Sequence, residues 1–155
     1  MSGKPLAERE QARPAASAAV EAFIHVLRAA DHLGRGVESL LGPARLTGTQ
    51  YNVLRILRGA GPAGLACREI GARMITRDPD ITRLLDRLEK RGLVTRARER
   101  RDRRVITARI SPAGWRILKS LDRPVAELHE QQMRRLGPRR TRLLIRLLRH
   151  LRGQE

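Results

Sequence analysis

The sequence predicts a mainly α-helical chain interrupted by one small β-hairpin. Three observations carry that prediction. Leucine, isoleucine, valine and alanine recur at threes and fours over most of the 155 residues, as amphipathic helices require. Aromatic residues are reduced to Phe23, Tyr51 and Trp115, so aliphatic stripes must build the core. One stretch, 93–110, breaks the helical period: "LVTRAR" and "RVITARI" alternate apolar and polar residues around a charged tip, as paired strands do.

In chain order, residues 1–14 are polar with two prolines and read as a flexible arm. From about 15 to 41, Val20, Phe23, Ile24, Leu27, Ala30, Val37 and Leu41 line one face of a long helix, which Gly42-Pro43 ends. Thr47, with Gln50 three positions on, forms a capping box in which each side chain satisfies a free backbone N–H. The helix it opens carries Val53, Leu54, Ile56 and Leu57 inward and stops in the run 59–64. A short helix follows at about 67–74. Asp78-Pro79 then reads as the start of a further helix, with Asp as N-cap and Pro at the first helical position. Its buried stripe is Ile81, Leu84, Leu85 and Leu88, and Gly92 ends it.

Two short helices joined by a tight connection have helix-turn-helix spacing. With the hairpin behind them they make a winged helix. Ser111-Pro112 caps a long helix carrying Leu118, Leu121, Val125 and Leu128, with a bend expected at Pro124. Gly137-Pro138 separates a last helix striped by Leu144, Leu147, Leu148 and Leu151. The outer helices hold more apolar surface than a small winged helix can cover, which implies a second copy of the chain. The expected organisation is therefore an arm (1–14), an N-terminal dimerisation helix (15–45), a winged helix-turn-helix (46–110) and C-terminal dimerisation helices (111–155).

A net charge of +17 points to a polyanionic partner. The total is weak support, because 30 arginines against 3 lysines is the skew a GC-rich genome produces unaided. Placement says more. Residues 1–46 hold six basic and five acidic side chains, residues 83–104 hold ten and four, and residues 134–152 hold eight arginines and no acid. The polyanion could be nucleic acid or an anionic membrane surface, and with so few aromatics a stacking platform for single-stranded nucleic acid is not expected. Cys67 is the sole cysteine, so a reducing cytoplasm is expected. No stretch is long and apolar enough for a membrane span, and "MSGKPLAERE" lacks the apolar core of a signal peptide. No membrane partner is expected.

Taken together, "LTGTQYNVLRIL", "DITRLLDRLEKRGLVTR" and "DRRVITARISPAG" resemble, in order and spacing, the helix-turn-helix and wing of the MarR family of transcription regulators. The resemblance spans about residues 46–111. It implies a homodimer binding a palindromic operator in double-stranded DNA, usually as a repressor. In many members a small phenolic or lipophilic compound, or an oxidant, releases the DNA. It further implies that Arg104 of the wing reaches into the minor groove, held by Asp102 through a charge-assisted bond, while Arg100, Arg101 and Arg103 contact phosphates. A solvated hairpin that carries charge against edge pairing is the competing reading; six arginines within residues 96–104 exceed that need.

On the recognition helix, Asp80, Thr82, Arg83 and Arg87 point away from the leucine stripe. Arg83 and Arg87 suit guanine or phosphate, and Thr82 a thymine methyl or a phosphate. Asp80 replaces the small hydroxyl residue frequent in the family; base reading and a helix-dipole role stay open for it. His32, Tyr51 and Trp115 are candidates for an effector pocket, with plain core packing the alternative for Tyr51 and Trp115. His25 and His32, seven apart with Glu21 one turn earlier, do not have metal-ligand spacing, so neither metal nor cofactor is expected. Peroxide-sensing members carry their reactive cysteine in the first long helix. Cys67 instead opens a later one, where it reads as a small substitute for a capping residue. No nucleophile–base pair or phosphate-binding loop is present, so no enzymatic activity is expected. A non-specific architectural DNA-binding protein and a winged-helix protein adaptor are the rival readings.

Overall fold

The computed structural model describes residues 17–76, 80–98 and 105–154. The chain forms two compact units, residues 1–33 and 34–155. The first is the leading part of helix α1 (Ala18–Leu41), which starts three residues after the expected position. Ser17 accounts for the start: its hydroxyl accepts the Val20 N–H at 3.3 Å, an N-cap contact. Val20, Phe23, Ile24, Val26 and Leu27 are exposed on this segment.

In the second unit, α1 ends at Leu41 and a 3-10 turn, Gly42–Ala44, leads to α2 (Gly48–Ala60). Both halves of the capping box form: Gln50 donates its N–H to Thr47 Oγ1 at 3.2 Å, and Thr47 its N–H to Gln50 Oε1 at 3.1 Å. Val53, Leu54 and Leu57 are fully buried. A second 3-10 turn, Gly61–Ala63, precedes β1 (Leu65–Ala66), a strand absent from the sequence reading. Strand β1 pairs antiparallel with β3 (Ile106–Ile110), Leu65 opposite Ala108. Gly64 makes this pairing fit. Its φ is +73°, and a Cβ there would stand 2.4 Å from the Ala108 carbonyl oxygen.

Helices α3 (Cys67–Arg73) and α4 (Ile81–Lys90) form the helix-turn-helix. Two expectations are corrected here. Asp80, not Asp78, caps α4, accepting the Arg83 N–H at 3.0 Å; Asp78 and Pro79 lie outside the described residues. Both aspartates precede the stripe in sequence, and the second is the one three residues ahead of a free helical N–H. Cys67 is not the cap of α3 but its first residue. Ala66 stands at the cap, and Glu69 Oε2 accepts its N–H at 2.9 Å.

Strand β2 (Val94–Arg98) pairs with β3 from Val94 opposite Ile110 to Arg98 opposite Ile106, giving the sheet order β1-β3-β2. Ser111 then caps α5 (Pro112–Met133): its hydroxyl donates to the Gly92 carbonyl at 2.6 Å and accepts the Gly114 N–H at 3.0 Å. A Cβ at Gly114 would lie 2.3 Å from the Leu93 carbonyl oxygen, so glycine permits this close approach. The helix continues through Pro124 as one element, and α6 (Gly137–Leu151) follows with no buried residue. The core of the unit gathers Leu41, Leu54, Leu57, Ile70, Leu85, Leu88 and Leu118 from α1 to α5.

Candidate nucleic-acid interface

Helix α4 has two faces. Leu84, Leu85 and Leu88 are buried and Ile81 is half-buried, whereas Thr82, Arg83 and Arg87 are exposed. Three buried leucines fix the rotation of the helix, so the exposed set is held outward by the packing of the opposite face. Arg83 is anchored at its root. Asp80 Oδ2 pairs with Arg83 Nε at 3.0 Å while Oδ1 caps the backbone, and the Arg83 side chain is still 78% exposed. Asp80 thus acts on Arg83 and on the helix terminus, a structural role that the sequence favours for Asp78, with base reading open for Asp80.

The first strand of the wing is fastened to this helix by Arg96. Its Nε and a terminal nitrogen donate to Glu89 Oε2 at 2.9 and 2.6 Å, and the same nitrogen pairs with Asp86. The Arg96 backbone N–H donates to Glu89 Oε1 at 3.1 Å. The guanidinium pKa is raised, chiefly by the hydrogen bond it donates to Glu89. Sequence reading counted Arg96 with the wing's charge and missed this. The usable signal was a pair of acids, Asp86 and Glu89, on a helix expected to face phosphates. At the far end of α4, Arg91 donates to the carbonyl oxygens of Arg45 and, at 3.0 Å, Ala44. Thr95 to Arg98 and Ile106 to Ile110 carry the hairpin outward. The wing-tip candidates Arg100, Arg101, Asp102, Arg103 and Arg104 lie outside the described residues.

The effector-pocket candidates Tyr51 and Trp115 have different surroundings within their unit. His32 is exposed on α1 within the 1–33 unit. Tyr51 is core, 7% exposed, with the Arg55 guanidinium 5.9 Å from its ring centroid. Trp115 is 47% exposed, which removes core packing as its explanation. It lines a cavity of about 430 Å³ with Pro62, Thr95, Arg109, Ile110 and Pro112, and Tyr51 is not among the lining residues. The Arg58 guanidinium stacks 5.5 Å from the Trp115 ring and forms a two-pronged pair with Asp122, at 2.8 and 2.9 Å. The hydrogen bond from Arg58 holds the Asp122 carboxyl below its ordinary value. Among the described residues no group of three or more His, Cys, Asp or Glu side chains could hold a metal ion. No helix there is long and apolar enough to cross a membrane.

Residues 46–106 match the model of the MarR family. A MarR transcription factor from Planctomyces limnophilus is 40% identical, with a TM-score of 0.67 over 83% of this chain and 93% of its own. The transcriptional regulator TtmR of Methylorubrum extorquens is 38% identical over 97 residues. That alignment takes in 63% of this chain and only about half, 49%, of TtmR. A mutant MarR from E. coli complexed with operator DNA shares the fold at a TM-score of 0.76, with 24% identity, over 86% of this chain and 94% of its own.

Proposed function

This chain belongs to the MarR family, and from that premise we propose that it is a homodimeric, sequence-specific regulator of transcription that represses by occupying a palindromic operator. The observation that carries the reading is the outward set Thr82, Arg83 and Arg87 on a helix rotationally fixed by three buried leucines. A helix with two exposed guanidinium groups one turn apart suits the major groove, where an arginine can take both acceptors of a guanine. Arg96 supports the second half of the reading, since it sets the direction in which β2 leaves α4.

In this mechanism Arg83 and Arg87 read bases or hold phosphates, and Thr82 contacts a thymine methyl or a phosphate. Asp80 orients Arg83 rather than reading a base itself. Arg100, Arg101 and Arg103 bind phosphates beside the minor groove, and Arg104, steadied by Asp102, enters it. Two copies place two recognition helices about one helical turn of DNA apart. The exposed apolar residues of α1, among them Phe23 and Leu27, and those of α6, among them Leu147 and Leu151, are the surfaces the second copy covers. A small lipophilic or phenolic molecule releasing the DNA is part of the proposal, and the cavity beside Trp115 is the place to look for it.

The test is fluorescence anisotropy at near-physiological salt, comparing the duplex upstream of the protein's own gene with a shuffled one. A preference of about a thousandfold or more supports a specific regulator. Arg87→Ala and Arg104→Ala should each weaken the native complex, by about tenfold or more for a lost base contact. Equal, salt-labile binding to both duplexes favours the architectural alternative. A folded dimer that binds neither favours the protein adaptor.

A further inference from the structure

Helix α6 carries a leucine side and an arginine side, with Arg140 among the leucines and the exposed Ile145 beside the arginines. At 100° per residue, Leu143, Leu144, Leu147, Leu148 and Leu151 gather on one side. Arg139, Arg142, Arg146 and Arg149, spaced three, four and three residues apart, gather on the other. All four arginines are exposed. None of them has an ion pair or hydrogen bond among the described residues, and the sequence holds no acid from 134 to 152.

Some arginines elsewhere in the chain differ. Arg58, Arg83, Arg96 and Arg123 each have a carboxylate, and Arg91 has backbone carbonyls. Placement rather than number sets the ladder apart: four of the five arginines of α6 fall within about 80° of the helix circumference at 100° per residue. Helix stability does not explain that placement. Like charges three and four apart repel, and Arg139 and Arg140 in the first turn oppose the helix dipole. Such a row is relieved by a polyanion laid along it.

We propose that the Arg139–Arg142–Arg146–Arg149 face of α6 is a second binding surface for duplex DNA, separate from the recognition helix and wing, so that one dimer can hold two DNA segments. The ladder runs about 15 Å along the axis at 1.5 Å per residue. That is a length of duplex bearing about nine phosphates. Single-stranded nucleic acid is disfavoured because α6 has no Phe, Tyr or Trp to stack successive bases. A lipid surface would need the leucines as well as the arginines, and in the homodimer proposed above the second copy covers the leucines and leaves the ladder outward. The two-segment outcome rests on the regulator reading; the duplex affinity of the ladder does not.

The experiment therefore has two arms. In the first, anisotropy follows a scrambled duplex across 50 to 200 mM salt with a protein whose recognition helix is disabled (Arg83→Ala, Arg87→Ala). The same protein is compared with Arg139, Arg142, Arg146 and Arg149 additionally changed to Gln, and with all four changed to Lys. Loss of four phosphate contacts should lower the log–log salt slope by between about 3 and 4, or about a hundredfold in salt-dependent affinity over that range. The Lys variant should keep most of the slope. Unchanged helical content and elution volume exclude misfolding, because Gln and Lys are both good helix formers. In the second arm, the wild-type chain on an immobilised operator duplex should capture a second, labelled duplex, and the Gln variant should bind the operator but capture none.

An unchanged slope in the Gln variant overturns the proposal, as does stronger binding of the ladder to anionic phospholipid vesicles than to the duplex. Operator binding without capture overturns the two-segment arrangement and leaves the regulator reading standing. Failure of operator binding with the ladder slope intact overturns the regulator reading alone.

Discussion

Replacing Arg96 with alanine should uncouple the wing from the recognition helix, and the structure sets the size of the effect. The guanidinium makes two hydrogen bonds to Glu89 and a further pair with Asp86, with a side chain only 19% exposed. Hydrogen bonds to charged groups contribute about 1.5–3 kcal/mol each when buried. The acids are 43% and 38% exposed, so solvent screening reduces that, and exposed pairs give about 1 kcal/mol or less. A loss of about 2 kcal/mol for the whole cluster is the reasonable centre. For a chain of this length that corresponds to a fall in Tm of about 4–8 °C. A thermal melt followed by circular dichroism measures it. The double variant Arg96→Ala with Glu89→Gln separates the pair from mere truncation, because coupled groups give a non-additive sum. DNA affinity should fall in parallel, since the loosened wing must be reordered on binding. A Tm within about 1 °C of wild type, with additive single and double variants, would refute the clamp.

Two further outcomes follow from the packing. Asp122 has its carboxyl held low by Arg58, and a depressed carboxylate adds stability above its unfolded value of about 3.9 and loses it as pH falls through the folded one. Asp122→Asn should therefore cost no more than about 1 kcal/mol at neutral pH, given the 47% exposure of the side chain, and almost nothing well below pH 4. Urea midpoints at pH 7 and pH 3 would reveal a pH-independent loss if the reasoning is wrong. Gly114→Ala forces a methyl to within 2.3 Å of the Leu93 carbonyl oxygen, so the start of α5 must move off the wing. Destabilisation of about 3 kcal/mol in a chemical-denaturation curve is expected, and a near-neutral result would mean the two segments are not in contact in solution.

Which parts were legible in the sequence depended on the range of the interactions that decide them. The Thr47–Gln50 box and the Ser111 cap were readable because each is completed within three residues. The start of α4 was not. Asp78 and Asp80 offer the same chemistry two positions apart, and the choice falls to the helix that the leucine stripe rotates into place. Strand β1 is two residues long and has no period to detect; its partner, Ala108 and Thr107, is over forty residues away. Trp115 looked equally suited to core or pocket. It is half-exposed with the Arg58 guanidinium of α2 over its ring, a long-range contact that no local pattern discloses.

The same distinction separates the two kinds of arginine in the interface. Arg83 and Arg87 could be assigned from helical phase alone, because exposure on one face follows from burial on the other. Arg96 could not, because a strand alternation says only which side of the hairpin it occupies. Its partners on α4 decide whether its charge faces DNA or the protein. Asp86 and Glu89 neutralise a cation that the wing's charge count places outward, and in doing so they turn it into a joint between α4 and β2. The positive charge of the 83–104 region is therefore smaller, as seen by a duplex, than its residue count. What remains outward is set by packing as well as pairing: Arg83 stays exposed although Asp80 holds it, and Arg87 is exposed one turn on.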